Sequence, residues 1–233
     1  MRLNKFLAAC GIASRRDCDK LIAEGKVCVN GKAAVLGVDV SDSDCVTVDG
    51  RQVTLKKNEY YLLNKPKGYL STVSDEKGRK TVLDLMPDTV GRIYPVGRLD
   101  YDSEGLLILT TDGELAQRLT HPSNEVPKTY LVKIEGTLKE SDLNPLRSGI
   151  EIDGGYVTKK CKAHIVETNK QYTKIHMTIT EGKNREIRKM FAAIGREVVL
   201  LKRIKVGELT LRGLDRGSWR KLSRQEVEYL MSL

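Results

Sequence analysis

The run Leu106-Leu107-Ile108-Leu109-Thr110 constrains this chain more than any other segment. It is too short and too uniformly apolar for a surface helix, and it reads as a buried strand. Directly before it, Gly97 and Gly105 bracket four ionisable side chains, Arg98, Asp100, Asp102 and Glu104. A polar loop feeding a buried strand can hold reactive groups rigidly over a cleft. Asp100, with Arg98 nearby to favour its ionised form, is a candidate nucleophile or base. Two other readings of the spacing stay open: an ordinary ion pair in a polar turn, and a glycosidase-like pair of Asp100 with Glu104.

Further strands are expected at Tyr60–Leu63, Thr129–Ile134, Lys160–Glu167, Thr173–Thr180 and Val198–Ile204. Helices are expected at Glu114–Leu119 and Asn184–Ile194, with a last one capped by Ser223 and Glu226. Successive strands joined by short turns predict an α+β domain with a mixed, largely antiparallel sheet.

The first fifty residues read differently. Leu3, Phe6, Leu7 and Cys10 recur at helical spacing and stop near Gly11; Ser14 then caps a second helix carrying Cys18, Leu21 and Ile22 and ending at Gly25. Val27 and Val29 alternate ahead of Asn30-Gly31, and Val46 and Val48 ahead of Asp49-Gly50, which are hairpin turn signals. A helix-helix-hairpin module over residues 1–55, a linker at 56–59 and a second domain over 60–233 follow.

The 233 residues carry 40 Lys and Arg against 31 Asp and Glu, an excess of nine positive charges. A polyanionic partner is the natural inference. Residues 1–34 hold seven basic and three acidic side chains, and residues 181–224 hold thirteen basic and five acidic. Arg15 and Arg16 open a helix, where backbone amides also favour phosphate, so they are either a phosphate site or a solvated first turn. No apolar run approaches the roughly 20 residues of a membrane span. The five cysteines form no Cys-x-x-Cys pair, so neither a disulfide framework nor a metal site is indicated, and a reduced cytosolic compartment is expected. Leu7-Ala8-Ala9-Cys10 looks like a lipoprotein cleavage box but lacks the apolar stretch before it.

Met1-Arg2-Leu3-Asn4-Lys5-Phe6-Leu7, Gly11-Ile12-Ala13-Ser14-Arg15-Arg16, Glu24-Gly25-Lys26-Val27 and Val29-Asn30-Gly31-Lys32 resemble the RNA-binding module of small-subunit ribosomal protein four. The resemblance implies binding of structured RNA, and the basic residues of this segment, Arg2, Lys5, Arg15, Arg16, Lys20 and Lys26, are the expected contacts. Gly97-Arg98-Leu99-Asp100, Ser103-Glu104-Gly105-Leu106-Leu107, Thr111-Asp112-Gly113 and Leu119-x-His121-Pro122 resemble the signature block of the ribosomal pseudouridine synthases of the RsuA/RluB type. Asn64-Lys65-Pro66-Lys67-Gly68, Lys128-Thr129-Tyr130, Glu181 through Met190, and Leu201-x-Arg203 with Gly207 and Leu209 extend the match in order along the chain.

That resemblance implies a catalytic domain of pseudouridine synthase type with Asp100 as the essential carboxylate, Arg188 as the arginine pairing with it and Tyr130 as the ring that stacks on uracil. It implies substrate contacts by Arg98, which enters the RNA stack, and by Leu201, Lys128 and Arg185; Leu200 is the alternative to Leu201. The implied reaction is isomerisation of uridine to pseudouridine in ribosomal RNA, of the large subunit in preference to the small, without cofactor or metal. The implied setting is the bacterial cytoplasm, the partner ribosomal RNA or a pre-ribosomal particle, and the chain a monomer with no obligate protein partner. A non-catalytic ribosome-assembly factor and a carboxylate-pair hydrolase are the alternatives from other classes.

Overall fold

The computed structural model describes residues 1–87 and 92–233. They form two compact units, Met1–Glu59 with Thr111–Gly113, and Tyr60–Thr110 with Glu114–Leu233.

In the first unit, helices α1 (Leu3–Ala9) and α2 (Arg15–Ala23) precede strands β1 (Val27–Val29), β2 (Lys32–Ala33), β3 (Val46–Val48) and β4 (Arg51–Gln52). Leu3 and Leu7 of α1 and Cys18 and Ile22 of α2, each pair one turn apart, meet Val27 and Val46 in a small core. Ser14 Oγ accepts from the Asp17 amide at 3.1 Å and so supplies the α2 cap. Asn30 and Gly31 both take positive φ, 52° and 78°, the geometry of a tight hairpin turn between β1 and β2. The second turn signal, Asp49-Gly50, joins β3 to β4 in the same way, and β1 also pairs with β3, giving a four-stranded sheet in the order β2-β1-β3-β4.

The second unit runs β5 (Tyr60–Lys65), β6 (Tyr94–Pro95), β7 (Glu104–Thr110), α3 (Gly113–Thr120), β8 (Lys128–Glu135), α4 (Asn144–Ser148), β9 (Glu151–Ile152), β10 (Tyr156–Val157), β11 (Lys162–Thr168) and β12 (Tyr172–Ile179). It continues with α5 (Glu186–Ala193), β13 (Val198–Val206), β14 (Leu209–Thr210), β15 (Trp219–Lys221) and α6 (Arg224–Met231). The main sheet has the order β11-β12-β8-β13-β7-β5-β15, with β14 beside β13 and β6 beside β7. β7 and β13 run parallel, and the other described pairings of this sheet are antiparallel.

Every residue of β7 is buried, because both faces of the sheet are covered there. Leu107 and Leu109 join Tyr130, Val132 and Leu201 under Ile187, Met190 and Phe191 of α5. Leu106 and Ile108 point the other way, to Leu115 and Leu119 of α3 and Leu230 of α6. Full burial of one such side chain is worth about 1.5–3 kcal/mol, so this strand anchors the loop that precedes it. Gly105 opens the strand at φ +107°, and a Cβ there would lie 2.2 Å from the carbonyl oxygen of Arg203. Only glycine allows the start of β7 to approach β13 so closely.

Candidate active site

The loop between β6 and β7 is tied down from beneath. Lys65, the last residue of β5, is completely buried, and its ammonium donates to three backbone carbonyls: Pro66 at 3.1 Å, Asp100 at 3.1 Å and Ser103 at 2.8 Å. All three donors of the ammonium are thereby used. Burial pulls the Lys65 pKa down to about 8, against the opposing pull of the Asp100, Asp102 and Glu104 carboxylates. Ser71 adds a second tie, its hydroxyl donating to the Leu99 carbonyl at 2.9 Å and accepting from the Leu99 amide at 3.1 Å. Asp100 O accepts from the Ser103 amide at 3.1 Å, closing a turn around Asp100, Tyr101 and Asp102.

A cleft of about 210 Å³ opens above this turn. Arg98, Asp100, Tyr130, Arg185 and Leu201 line it, together with Ser103 and Glu186. Tyr130 reaches it from β8 and Leu201 from β13, both side chains buried, whereas Leu200 is half-buried and outside the lining. Lys128, two residues before Tyr130 on the same face of β8, is absent from this lining and borders an adjoining cavity that Tyr130 also lines. Tyr101 stands exposed in the same loop.

The ion pairs differ from the pairing expected of Arg188. Its Nη2 lies 3.1 Å from Oδ2 of Asp102, while its Nη1 donates to the Val198 carbonyl at 2.7 Å. The carbonyl on β13 fixes one side of the guanidinium, and the other side then meets Asp102 rather than Asp100. Arg185 donates to both carboxylate oxygens of Asp102, at 3.1 and 3.3 Å, and approaches Oδ2 of Asp100 at 4.0 Å. Asp102 thus carries two guanidinium groups. Burial opposes its ionisation, but the Arg185 hydrogen bonds and the charges of both arginines outweigh it and hold the carboxyl below its ordinary value.

Three contributors were missed by sequence reasoning. Glu186 at the start of α5 is buried and accepts from the Lys183 amide at 2.9 Å, closing the loop that forms one wall; burial raises its pKa. Ser103 Oγ is buried in the cleft lining without a hydrogen-bond partner. Lys65 had a detectable signal, a lysine ending the otherwise buried strand Tyr61-Leu62-Leu63-Asn64. Among the described residues no group of three His, Cys, Asp or Glu side chains is placed to hold a metal ion.

Residues 59–193 match the family model described as RNA pseudouridylate synthase, and residues 1–44 match that of the S4 domain. The chain belongs to the RNA pseudouridylate synthase family. This synthase is 47% identical over 234 residues to ribosomal large subunit pseudouridine synthase B of Bacillus subtilis (strain 168), covering 100% of this chain and 96% of that one. The protein of the same name from Vibrio cholerae is 39% identical over 240 residues, covering 100% and 74%. A crystal structure of a pseudouridylate synthase superposes with a TM-score of 0.71 at 31% identity, covering 99% of each chain.

In the S4-like unit of the synthase, Arg15 and Arg16 are exposed on the first turn of α2 with no ion-pair partner among the described residues. Arg2 bonds the Gly37 carbonyl and lies 3.6 Å from Asp39; Lys20 pairs with Asp17 at 3.0 Å and Lys26 with Glu24 at 2.7 Å. Lys5 sits in α1. Exposed pairs of this kind are weak.

Proposed function

We propose that this chain isomerises one uridine of large-subunit ribosomal RNA to pseudouridine. The observation that carries the reading is the cleft in which Asp100, Tyr130 and Leu201 face one another beside Arg98 and Arg185.

The target nucleotide must first leave its stack, at a cost of a few kcal/mol. Arg98, exposed at the cleft, takes the vacated place in the RNA, and the uracil lies against the Tyr130 ring with Leu201 behind it. Asp100 then either attacks the nucleoside covalently or removes a ribose proton that is later returned; in both routes the C1′–N1 bond breaks, the uracil turns, and a C1′–C5 bond forms as C5 loses its proton to solvent and the freed N1 takes one up. The product is an isomer, with no net redox change. Lys65 and the Asp102–Arg185–Arg188 cluster keep the loop in place during the base rotation.

Residues 1–55 act as a separate RNA-binding module through Arg2, Lys5, Arg15, Arg16, Lys20 and Lys26, joined by residues 56–59 to the catalytic domain at 60–233. Arg188 acts as a positioning residue through Asp102. The partner is ribosomal RNA or a pre-ribosomal particle in the bacterial cytoplasm, with no obligate protein partner. Relatives bearing the name ribosomal large subunit pseudouridine synthase B support the choice of subunit. Mapping pseudouridines in ribosomal RNA from cells with and without the protein tests it: one position lost from the large-subunit RNA is expected, and an unchanged map would refute it.

A further inference from the structure

A second cavity, of about 440 Å³, shares Arg98, Tyr130, Gly182 and Lys183 with the cleft that holds Asp100 and is about twice its size. Sequence blocks that the chemistry at Asp100 leaves unused converge on it: Leu119, His121 and Pro122 from the end of α3, Lys128 from the start of β8, and Glu181 after β12. Part of its wall is apolar, from Val96, Ile108 and Val206.

Arg203 gives this cavity its character. The side chain is 4% exposed, its Nε donates to the Leu106 carbonyl at 2.7 Å, and among the described residues no carboxylate lies within ion-pair distance of it. A guanidinium has five N–H donors, and burying one without a carboxylate is costly. Lys128 adds a second cation. Burial and the Arg203 charge lower its pKa, Glu186 alone acting the other way, and its ammonium donates to the Val126 carbonyl at 2.9 Å. The acid in the wall is already engaged, since Glu181 accepts from the Tyr156 hydroxyl and, at 2.7 Å, from the Lys159 amide. The cavity therefore presents hydrogen-bond donors and positive charge beside apolar surface, which suits a ligand rich in acceptors.

We infer that this cavity receives the nucleotide next to the target uridine in the RNA chain, its unstacked base against the apolar wall with its acceptor edge on Arg203, and its phosphate on Lys128. The inference rests on the reading that the Asp100 cleft takes a flipped uridine. A neighbour joined by one phosphodiester must lie beside that cleft, and Tyr130, common to both spaces, forms the partition between the two bases.

The test uses a hairpin RNA with the modified uridine in its loop, and two copies in which the 5′ or the 3′ neighbour is abasic. Pseudouridine formation is measured for the wild type and for Thr120→Trp, where an indole grows into the cavity from the exposed end of α3. With the wild type, one of the two abasic RNAs has a KM raised about tenfold, the size of a single base-stacking contact, at nearly unchanged kcat. Thr120→Trp shows the raised KM on intact RNA and no longer distinguishes the abasic copy. Equal KM for all three RNAs with the wild type overturns the inference, and so does a folded Thr120→Trp that still discriminates. Should that variant fail to fold, the wild-type comparison decides alone. No pseudouridine in any RNA would refute the proposed function itself, a separate failure.

Discussion

Arg188 grips Asp102 at 3.1 Å and leaves Asp100 to Arg185, 4.0 Å away. One carboxylate of the loop is thus spent on holding two arginines, and its neighbour two positions earlier stays in the cleft lining. Replacing Asp102 with Ala frees both guanidinium groups from the loop. The expected result is a kcat lowered by about tenfold or more through lost orientation, with RNA affinity nearly constant. Steady-state kinetics on a ribosomal RNA fragment checks the split; a change confined to KM would show that Asp102 serves binding instead.

Lys65→Met removes an ammonium that satisfies three buried carbonyls, and a destabilisation of about 2–4 kcal/mol is expected from urea unfolding. The pH dependence has a definite sign. Because the folded-state pKa is about 8 against an ordinary 10.5, the unfolded chain holds this proton more tightly between those values. Stability of the wild type relative to Lys65→Met therefore rises from pH 8 to pH 10.5, by roughly 3 kcal/mol at most. A difference that falls across this window would contradict the burial of the charge.

Gly105→Ala puts a methyl group against the Arg203 carbonyl, at a φ that side chains rarely adopt. A loss of about 2–3 kcal/mol or more is expected, since backbone and not a movable side chain must give way. Activity should fall with it, because the same contact sets where β13 presents Leu201 and Arg203.

Arg15→Ala with Arg16→Ala addresses the module. If both hold phosphates, the slope of log affinity against log salt concentration drops by about two units, near one per contact. An unchanged slope returns the pair to solvated surface.

Much of the fold was legible where burial follows a period. β12 alternates along its whole length, and the apolar run at Leu106 marks β7, whose helix-covered faces explain why it does not alternate. What escaped has no local signal. β6, β9, β10 and β14 are two residues long, too short for a period, and the parallel pairing of β7 with β13 joins residues almost a hundred positions apart. Trp219 shows the same limit: its edge-on contact with Tyr61, at 5.6 Å, is made through the three-residue β15. At the site, motif resemblance pointed to Asp100, Tyr130 and Leu201, which the fold brings to one cleft. It could not tell which carboxylate Arg188 meets, because that depends on the rotation of a turn and on the Val198 carbonyl. The excess positive charge likewise hid one member of a different kind, Arg203, which is buried.

The role of Asp100 is tested most directly by Asp100→Asn, a change of one oxygen for one nitrogen at nearly constant shape. With a purified large-subunit ribosomal RNA fragment that the wild type modifies, the variant is expected to bind with nearly the same affinity and to form no pseudouridine even in single-turnover excess of protein. Pseudouridine formed by Asp100→Asn at a rate near that of the wild type would contradict the assignment of this carboxylate to the chemistry.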